Sequence, residues 1–275
     1  MLVIKIGGGA AIGAEAFARF AADIATTTEP VVVVHGGNAE LSRLSERLEM
    51  PPQVVTSSTG RVSRYVDEAT MDAMLMAYCG KVNKRLVAAM RHAGVNAVGL
   101  SAMDGGIAVG HRKPVIRGEI DGRNRVFRND HAGTIETIDT TLVRTLMAAG
   151  FVTLVSPPAL SHEGVPINVD GDKLAQKLAE SLEADGLLFF SDTPGLLADR
   201  HDESTLIRSI DAGNPEQALA AAEGRMVVKV EQAVKAVERG VGQVVFADAR
   251  VDQPVTRALA GDGTVIRKET EVATV

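Results

Sequence analysis

Apolar and polar positions follow two rhythms along this chain. Near-continuous apolar, β-branched runs recur as LVIKIGGG, PVVVVHGGN, VNAVGLSAMDGG, FVTLVSPP, GLLFFSDTPG and GQVVFADA, and each meets a turn. Between them stand segments of helical period, AEAFARFAADIA, DAMLMAYCGKVNKRLVAAMRHAG, DKLAQKLAESLEADG and RMVVKVEQAVKAVERG. Strands that are apolar throughout, alternating with amphipathic helices, predict an α/β fold with a mainly parallel sheet covered on both faces. Ligands of such sheets gather outside the carboxyl ends of the strands. GGG, HGGN, SAMDGG and SDTPG all follow a strand, so the bare-backbone and polar signals share that edge. One stretch breaks the rhythm. In GIAVGHRKPVIRGEIDGRNRVFRND, short β-like runs flank Asp121-Gly122, which predicts a hairpin inserted between helical units. No internal repeat, low-complexity tract or flexible linker interrupts the chain, and a soft division falls near residue 160.

Composition narrows the picture. The 275 residues suffice for one large domain or two closely packed lobes with a substantial core. A net charge of −6, with the signs well mixed, argues against general nucleic-acid binding, and no apolar stretch reaches membrane-spanning length. Met1 leads straight into the first strand, so no secretory leader is expected, and the single Cys79 can form no internal disulfide. A reducing cytoplasm is the simplest home. Cys79, in a helix-like stretch with no histidine near it, reads as a buried thiol.

Four segments carry candidate chemistry. Lys5 lies inside the first strand and is followed by Gly7, Gly8 and Gly9, whose N–H groups could cradle phosphate oxygens beside a lysine charge. The spacing is neither GxxxxGK[ST] nor GxGxxG, so both common nucleotide motifs are absent. VVVVHGGN offers a second bare-backbone surface at Gly36 and Gly37, suited to a carboxylate or another anion, and its His35 is read as structural before catalytic. In GVPINVDGDKLAQKLAESL either Asp170 or Asp172 could cap the helix, while Asn168 and Asp172 are the residues expected to face a site. Lys229, near the start of a helix in GRMVVKVEQAVKA, says little alone.

Taken in order, VIKIGG, VVHGGN, SRYVDEATM, GKVNKRLV, AVGLSAMDGG, INVDGDKLA, SDTPGLL and GRMVVKV resemble the amino-acid kinase family, specifically its acetylglutamate kinase branch. The resemblance runs from Lys5 to the terminal GTVIR. It implies a three-layer α/β/α sandwich, with an acceptor-binding and dimer-forming lobe over residues 1–160 and an ATP-binding lobe over residues 161–275. It also implies a role for each matching residue. Lys5 and Lys229 would stabilise the transferring phosphoryl group, Asp172 would organise the two lysines, and the Gly8 amide would contact phosphate. Gly36, Gly37 and Asn168 would hold the acceptor. For the arginine on the acceptor's α-carboxylate the candidates are Arg61 and Arg64, and the family's R-x-x-D-x-x-T-[LM] spacing, met by Asp67 and Thr70, selects Arg64. Ser191, Asp192 and Thr193 fall where the family's nucleotide-binding strand ends. ATP and Mg²⁺ are the implied cofactors, the metal being held through ATP and not by protein ligands. An acceptor carboxylate is already ionised, so transfer needs alignment and charge neutralisation and no general base.

Three features, INVDGD, GRVSRY and VFADAR, look more like the kinases whose substrate is amide-linked to the small acidic amino-group carrier protein LysW. The hairpin supports this independently, since Arg112, Lys113, Arg117, Arg123 and Arg125, with His111 and Arg128, concentrate positive charge in an acidic protein. The carried acceptor would be 2-aminoadipate, glutamate or both. Two alternatives stay open: a kinase for free N-acetylglutamate, and an amino-acid sensor without catalysis, which predicts loss of residues that are present here. A start at the first strand lacks the extra amino-terminal helix of arginine-inhibited hexamers, so a homodimer is expected.

Overall fold

A computed structural model describes every residue except 10–11, 57–59, 61, 121–122, 200, 217–224 and 270–275. In the first half of the chain the strands are β1 (Leu2–Ile6), β2 (Val31–His35), β3 (Val54–Thr56), β4 (Val62–Arg64), β5 (Ala97–Ser101), β6 (Ala108–Arg112), β7 (Val115–Ile120) and β8 (Arg123–Arg128). The second half adds β9 (Gly133–Ile138), β10 (Val152–Ser156), β11 (Ala159–Ser161), β12 (Pro166–Ile167), β13 (Gly186–Ser191), β14 (Ser209–Asp211), β15 (Gln243–Asp248) and β16 (Thr264–Arg267). The helices are α1 (Ala14–Ile24), α2 (Asn38–Arg47), α3 (Glu68–Leu75), α4 (Asn83–His92), α5 (Thr141–Ala148), α6 (Gly171–Leu182), α7 (Arg225–Glu238) and α8 (Pro254–Leu259).

Eight strands form the central sheet in the order β14-β16-β15-β13-β1-β2-β10-β5, and only the β15–β16 pair is antiparallel. This is the mainly parallel α/β sheet that the apolar runs predict. Because side chains alternate across a strand, each face collects its own core. Leu2, Ile4 and Ile6 pack with Phe20 of α1, Leu86 of α4 and Val255 of α8. Val3, Val32, Val34, Leu187 and Val244 pack with Leu174 and Leu178 of α6 and Val230 and Val234 of α7. Lys5 has the phase of Val3, so it emerges at the end of β1 on the α6 face.

Two smaller sheets of four strands, β4-β3-β7-β8 and β12-β11-β6-β9, stand beside the main one. The predicted hairpin is β7 and β8, paired from Val115↔Arg128 to Ile120↔Arg123, and its Asp121-Gly122 turn lies outside the described residues. The long helical segment predicted around Cys79 is also present, with an unpredicted element in its middle. α3 and α4 are joined by seven π-helical residues, Met76–Val82, so the three elements make one rod. No helix among the described residues is long and apolar enough to cross a membrane.

Candidate active site

The glycine loops after β1 and β2 pack backbone against backbone. A Cβ on Gly8 would lie 2.5 Å from the Gly37 nitrogen, one on Gly36 would lie 2.8 Å from the Gly8 nitrogen, and one on Gly37 would lie 2.7 Å from the Tyr78 ring. Any side chain there would force the loops apart. The Ala39 amide donates to the Gly8 carbonyl at 2.9 Å, which fixes the first loop to the start of α2. α2 begins after Gly37 with no side chain capping it, leaving its dipole and first N–H groups turned toward the loops. A cavity of about 460 Å³ opens beside both loops, with Arg43, Lys81 and Arg85 in its wall.

Lys5 Nζ stands 2.5 Å from Asp172 Oδ1, with the lysine 16% exposed. The choice between Asp170 and Asp172 as helix cap is settled by hydrogen bonding. Asp170 accepts from the amides of Asp172 at 2.8 Å and Lys173 at 3.0 Å, which leaves the Asp172 carboxylate for Lys5. Asp172 and Lys229 then line one small cavity together with Gln176, Phe189 and Phe246. Lys229 lies in the early turns of α7 and places its ammonium 5.7 Å from the Phe246 ring centroid, a cation–π contact. Phe246 in turn stacks on Phe189, with centroids 5.1 Å apart. Asp172 is thus common to the surroundings of two lysines far apart in the chain, paired with Lys5 and lining a cavity with Lys229.

On the other side, Arg64 ends β4, and its Nη1 is buried without a hydrogen-bonding partner. A buried guanidinium nitrogen left unpaired is costly, and a carboxylate is the group that would satisfy it. The alternative Arg61 lies outside the described residues. The D-x-x-T part of the motif has a structural reason: Asp67 caps α3 by accepting from the Thr70 amide at 2.9 Å. Asn168 is half-buried and bridges to Ala132, with its side chain two residues before the α6 cap. At the end of β13, Ser191 Oγ lies 3.0 Å from Thr193 Oγ1, which donates to the Gly195 carbonyl, and Asp192 beside them is exposed.

His35 is structural. It is fully buried, its Nδ1 donates to the Gly36 carbonyl at 3.1 Å, and its Nε2 accepts from Asn83 Nδ2 at 2.9 Å. Burial drives its pKa down to about 4, so the ring is neutral near pH 7. Cys79 lies in the π-helical turn, 3.5 Å from Ser156 Oγ, and burial raises its pKa, which disfavours the nucleophilic thiolate.

The expected single basic patch is divided. Antiparallel register puts Arg117 opposite Val126 and Val115 opposite Arg128 on one face of the hairpin, while Arg125 opposes Gly118 on the other and Arg123 stands opposite Ile120 beside the turn. Arg112 is already engaged at the hairpin's base, donating to the carbonyls of Asp130 at 2.8 Å and Asn129 at 3.0 Å. Lys113 beside it is exposed.

Sequence reasoning missed Tyr78, which donates to Asn38 Oδ1 at 2.8 Å and whose pKa burial pushes up to about 12. It also missed Tyr65, which donates to the Arg128 carbonyl at 2.6 Å. A signal existed, because the chain has only two tyrosines and both fall within fifteen residues of Arg64. Phe246, a third omission, carries no local mark beyond its apolar strand.

With lysines and glycine amides converging on one end of a parallel sheet, the site has the form of a phosphoryl-transfer centre. Residues 1–248 match the amino acid kinase family, and the chain belongs to that family. Over 269 residues it is 45% identical to the [LysW]-aminoadipate kinase of Thermus thermophilus, covering 97% of this chain and 100% of that protein. The acetylglutamate kinase of Leptospira biflexa is similar at 34% identity over 258 residues, covering 92% of this chain and 86% of the relative. Among solved structures, the N-acetylglutamate synthase of Neisseria gonorrhoeae in complex with coenzyme A and N-acetyl-glutamate superposes with a TM-score of 0.75 at 27% identity. That match covers 98% of this chain and 59% of the longer synthase chain.

Proposed function

We propose that this kinase transfers the γ-phosphoryl group of ATP to the side-chain carboxylate of 2-aminoadipate, glutamate or both, carried by an amide link on a small acidic LysW-type protein. The observation that carries the transfer reading is the aspartate common to both lysines: Asp172 pairs with Lys5 at 2.5 Å and lines a small cavity with Lys229 of α7. The acceptor carboxylate attacks the γ-phosphorus, ADP departs, and an acyl phosphate forms. Charge accumulates on the transferring oxygens, where Lys5, Lys229, the Gly8 amide and the uncapped start of α2 can meet it. Asp172 keeps Lys5 oriented. Arg64 holds the acceptor's α-carboxylate, Gly36 and Gly37 line its path, and Asn168 contacts its linked end. Ser191, Asp192 and Thr193 flank the nucleotide. The chain's cations and amides suit a triphosphate, and Mg²⁺ bound through ATP would supply further neutralisation.

Support for a carried acceptor comes from the name of the Thermus relative and from the hairpin surface. Val54, Val62, Val115 and Val126 are 49%, 56%, 48% and 52% exposed, and strand register puts all four on one face with Arg117 and Arg128. An apolar face set with arginines suits an acidic protein better than a free amino acid. A homodimer through residues 1–160, a nucleotide side over residues 161–275 and a cytoplasmic setting accompany this reading.

Turnover with four acceptors tests it: N-acetylglutamate, N-acetylaminoadipate, and each amino acid linked to a LysW-type carrier. Carried acceptors should be preferred, and Arg117→Glu should lower their kcat/KM about tenfold at low ionic strength, with the deficit shrinking in 0.5 M salt, roughly the range of electrostatic steering. Equal or better turnover of free N-acetylglutamate, with no effect of Arg117→Glu, would leave an ordinary acetylglutamate kinase. One methylene separates glutamate from aminoadipate and is worth only about 1–3 kcal/mol in a pocket, so both carried forms belong in the assay.

A further inference from the structure

Arg64 and Asn168 approach the acceptor from distant parts of the chain, and a buried carboxylate stands between their strands. Asp130 is fully buried, its Oδ1 accepts from the Val66 amide at 3.0 Å, and its Oδ2 is buried with no hydrogen-bonding partner. Val66 is two residues past Arg64. The next residue continues the connection: the His131 amide donates to the Val66 carbonyl at 2.7 Å, and the His131 carbonyl accepts from the Asn168 amide at 2.7 Å. The Asn168 carbonyl accepts from Gly133 at 2.9 Å, and the His131 ring donates through Nδ1 to the Pro166 carbonyl at 2.8 Å. Segments 64–67, 129–133 and 166–168 are thereby stitched into one frame. The hairpin joins it from the side, through Arg112 on the Asp130 carbonyl and Tyr65 on the Arg128 carbonyl.

Backbone pairing alone could tie three segments together. A carboxylate in that place opposes folding, because one of its oxygens is buried unpaired, and burial lifts its pKa despite the amides of Val66, Ala132 and His131 nearby. An apolar side chain would fill the volume without that cost, so packing does not account for Asp130. What the carboxylate adds is a fixed anchor for the Val66 amide, which neither β4 nor α3 satisfies.

We infer that Asp130 is a positioning residue for the acceptor, setting Arg64 at the end of β4 against Asn168 by holding the Val66 amide. This rests on Arg64 and Asn168 being acceptor ligands. Asp130 shares no hydrogen bond with Lys5, Asp172 or Lys229 among the described residues, so its effect is confined to the acceptor. A loosened frame lets the α-carboxylate bind in several poses, and sub-ångström misplacement is costly for transfer.

Steady-state kinetics of Asp130→Leu, Asp130→Asn, Arg64→Ala and Arg64→Ala/Asp130→Leu test the inference, with carrier-linked 2-aminoadipate and N-acetylglutamate as acceptors and thermal unfolding as the check on folding. Asp130→Leu, close in size but without an acceptor for the Val66 amide, should raise the acceptor KM about tenfold while the ATP KM stays within about twofold. Asp130→Asn keeps an amide oxygen in the place of Oδ1 and should hold the acceptor KM near that of the unaltered protein. The double variant should be little worse than Arg64→Ala, since both act on one interaction. An unchanged acceptor KM in folded Asp130→Leu, beside a raised one in Arg64→Ala, overturns the role of Asp130 and leaves the acceptor reading standing. A rise in Asp130→Asn as large as that in Asp130→Leu overturns the Val66 anchor, and parallel rises in both KM values overturn the role as well, because they mark general loosening. An unchanged acceptor KM in Arg64→Ala removes the acceptor reading itself. Should Asp130→Leu fail to fold, Asp130→Ala, which also lacks the acceptor, decides in its place.

Discussion

Lys5, paired with Asp172, and Lys229, which lines a cavity with the same aspartate, stand on contrasting ground. Lys5 belongs to a strand hydrogen-bonded on both sides, is 16% exposed, and is held at 2.5 Å by Asp172. Lys229 stands on the exposed early part of α7, over the Phe246 ring, with no ion-pair partner among the described residues. A strand between two parallel neighbours cannot shift without breaking both ladders, so the first charge is preorganised. On the proposed reading, a solvated helix turn lets the second charge follow the phosphoryl group as it moves. One fixed and one adaptable cation suit a reaction in which charge migrates between two oxygens.

The largest expected effect attacks the fixed side. Lys5→Ala should lower kcat by about 10²–10³-fold, the scale of losing one preorganised donor, and Lys5→Arg should not restore it, because a planar guanidinium does not fit a place shaped for a point charge beside Asp172. Single-turnover kinetics would read both variants. Next comes the ground that supports Lys5. His35, opposite Ile6 in the β1–β2 register, has its pKa lowered from 6.5 to about 4 by burial. The unfolded chain takes up this proton before the folded one, so stability is fully present above about pH 6.5 and falls as pH drops toward 4, by up to ~3 kcal/mol. Chemical denaturation from pH 7 to pH 4 should show that slope, and His35→Gln should flatten its share. The smallest effect belongs to the adaptable side: Lys229→Arg should keep kcat within about tenfold, since an exposed side chain can reposition a longer cation. A loss as deep as that of Lys5→Arg would erase the contrast between the two lysines.

Much of this contrast could be read from the sequence because it is local. Apolar runs ending in glycine placed β1, β2 and their loops, and the lysine's position inside the first run already implied a restrained charge. Lys229 gave no such signal; only its match to a family motif drew notice, as a surface lysine on a helix has no local peculiarity. Asp170 and Asp172 could not be told apart, since either can precede an apolar helix, and hydrogen bonding separated them. The hairpin shows a missed opportunity. Across a two-residue turn the strand alternation assigns positions 117 and 125 to opposite faces, so the division of the basic cluster was available from parity alone. Asp130 was not available at all, because the amide it holds lies sixty-four residues earlier.

The π-helical turn at Met76–Val82 has a consequence for how this chain tolerates length changes. Such a turn carries more residues than an α-helical one, so the rod from Glu68 to His92 is kept slightly out of step with itself. Removing one residue there would heal the helix. Healing would also turn one half of the rod by about 100° against the other. Asn83, which reaches His35 and the Leu154 carbonyl, and Tyr78, which closes on Gly37, would no longer aim at their partners together. The irregularity thus works as a vernier between the glycine loop at Gly37 and the strands that carry His35 and Leu154, and a deletion that improves the local helix would misalign the rod's two ends with these partners.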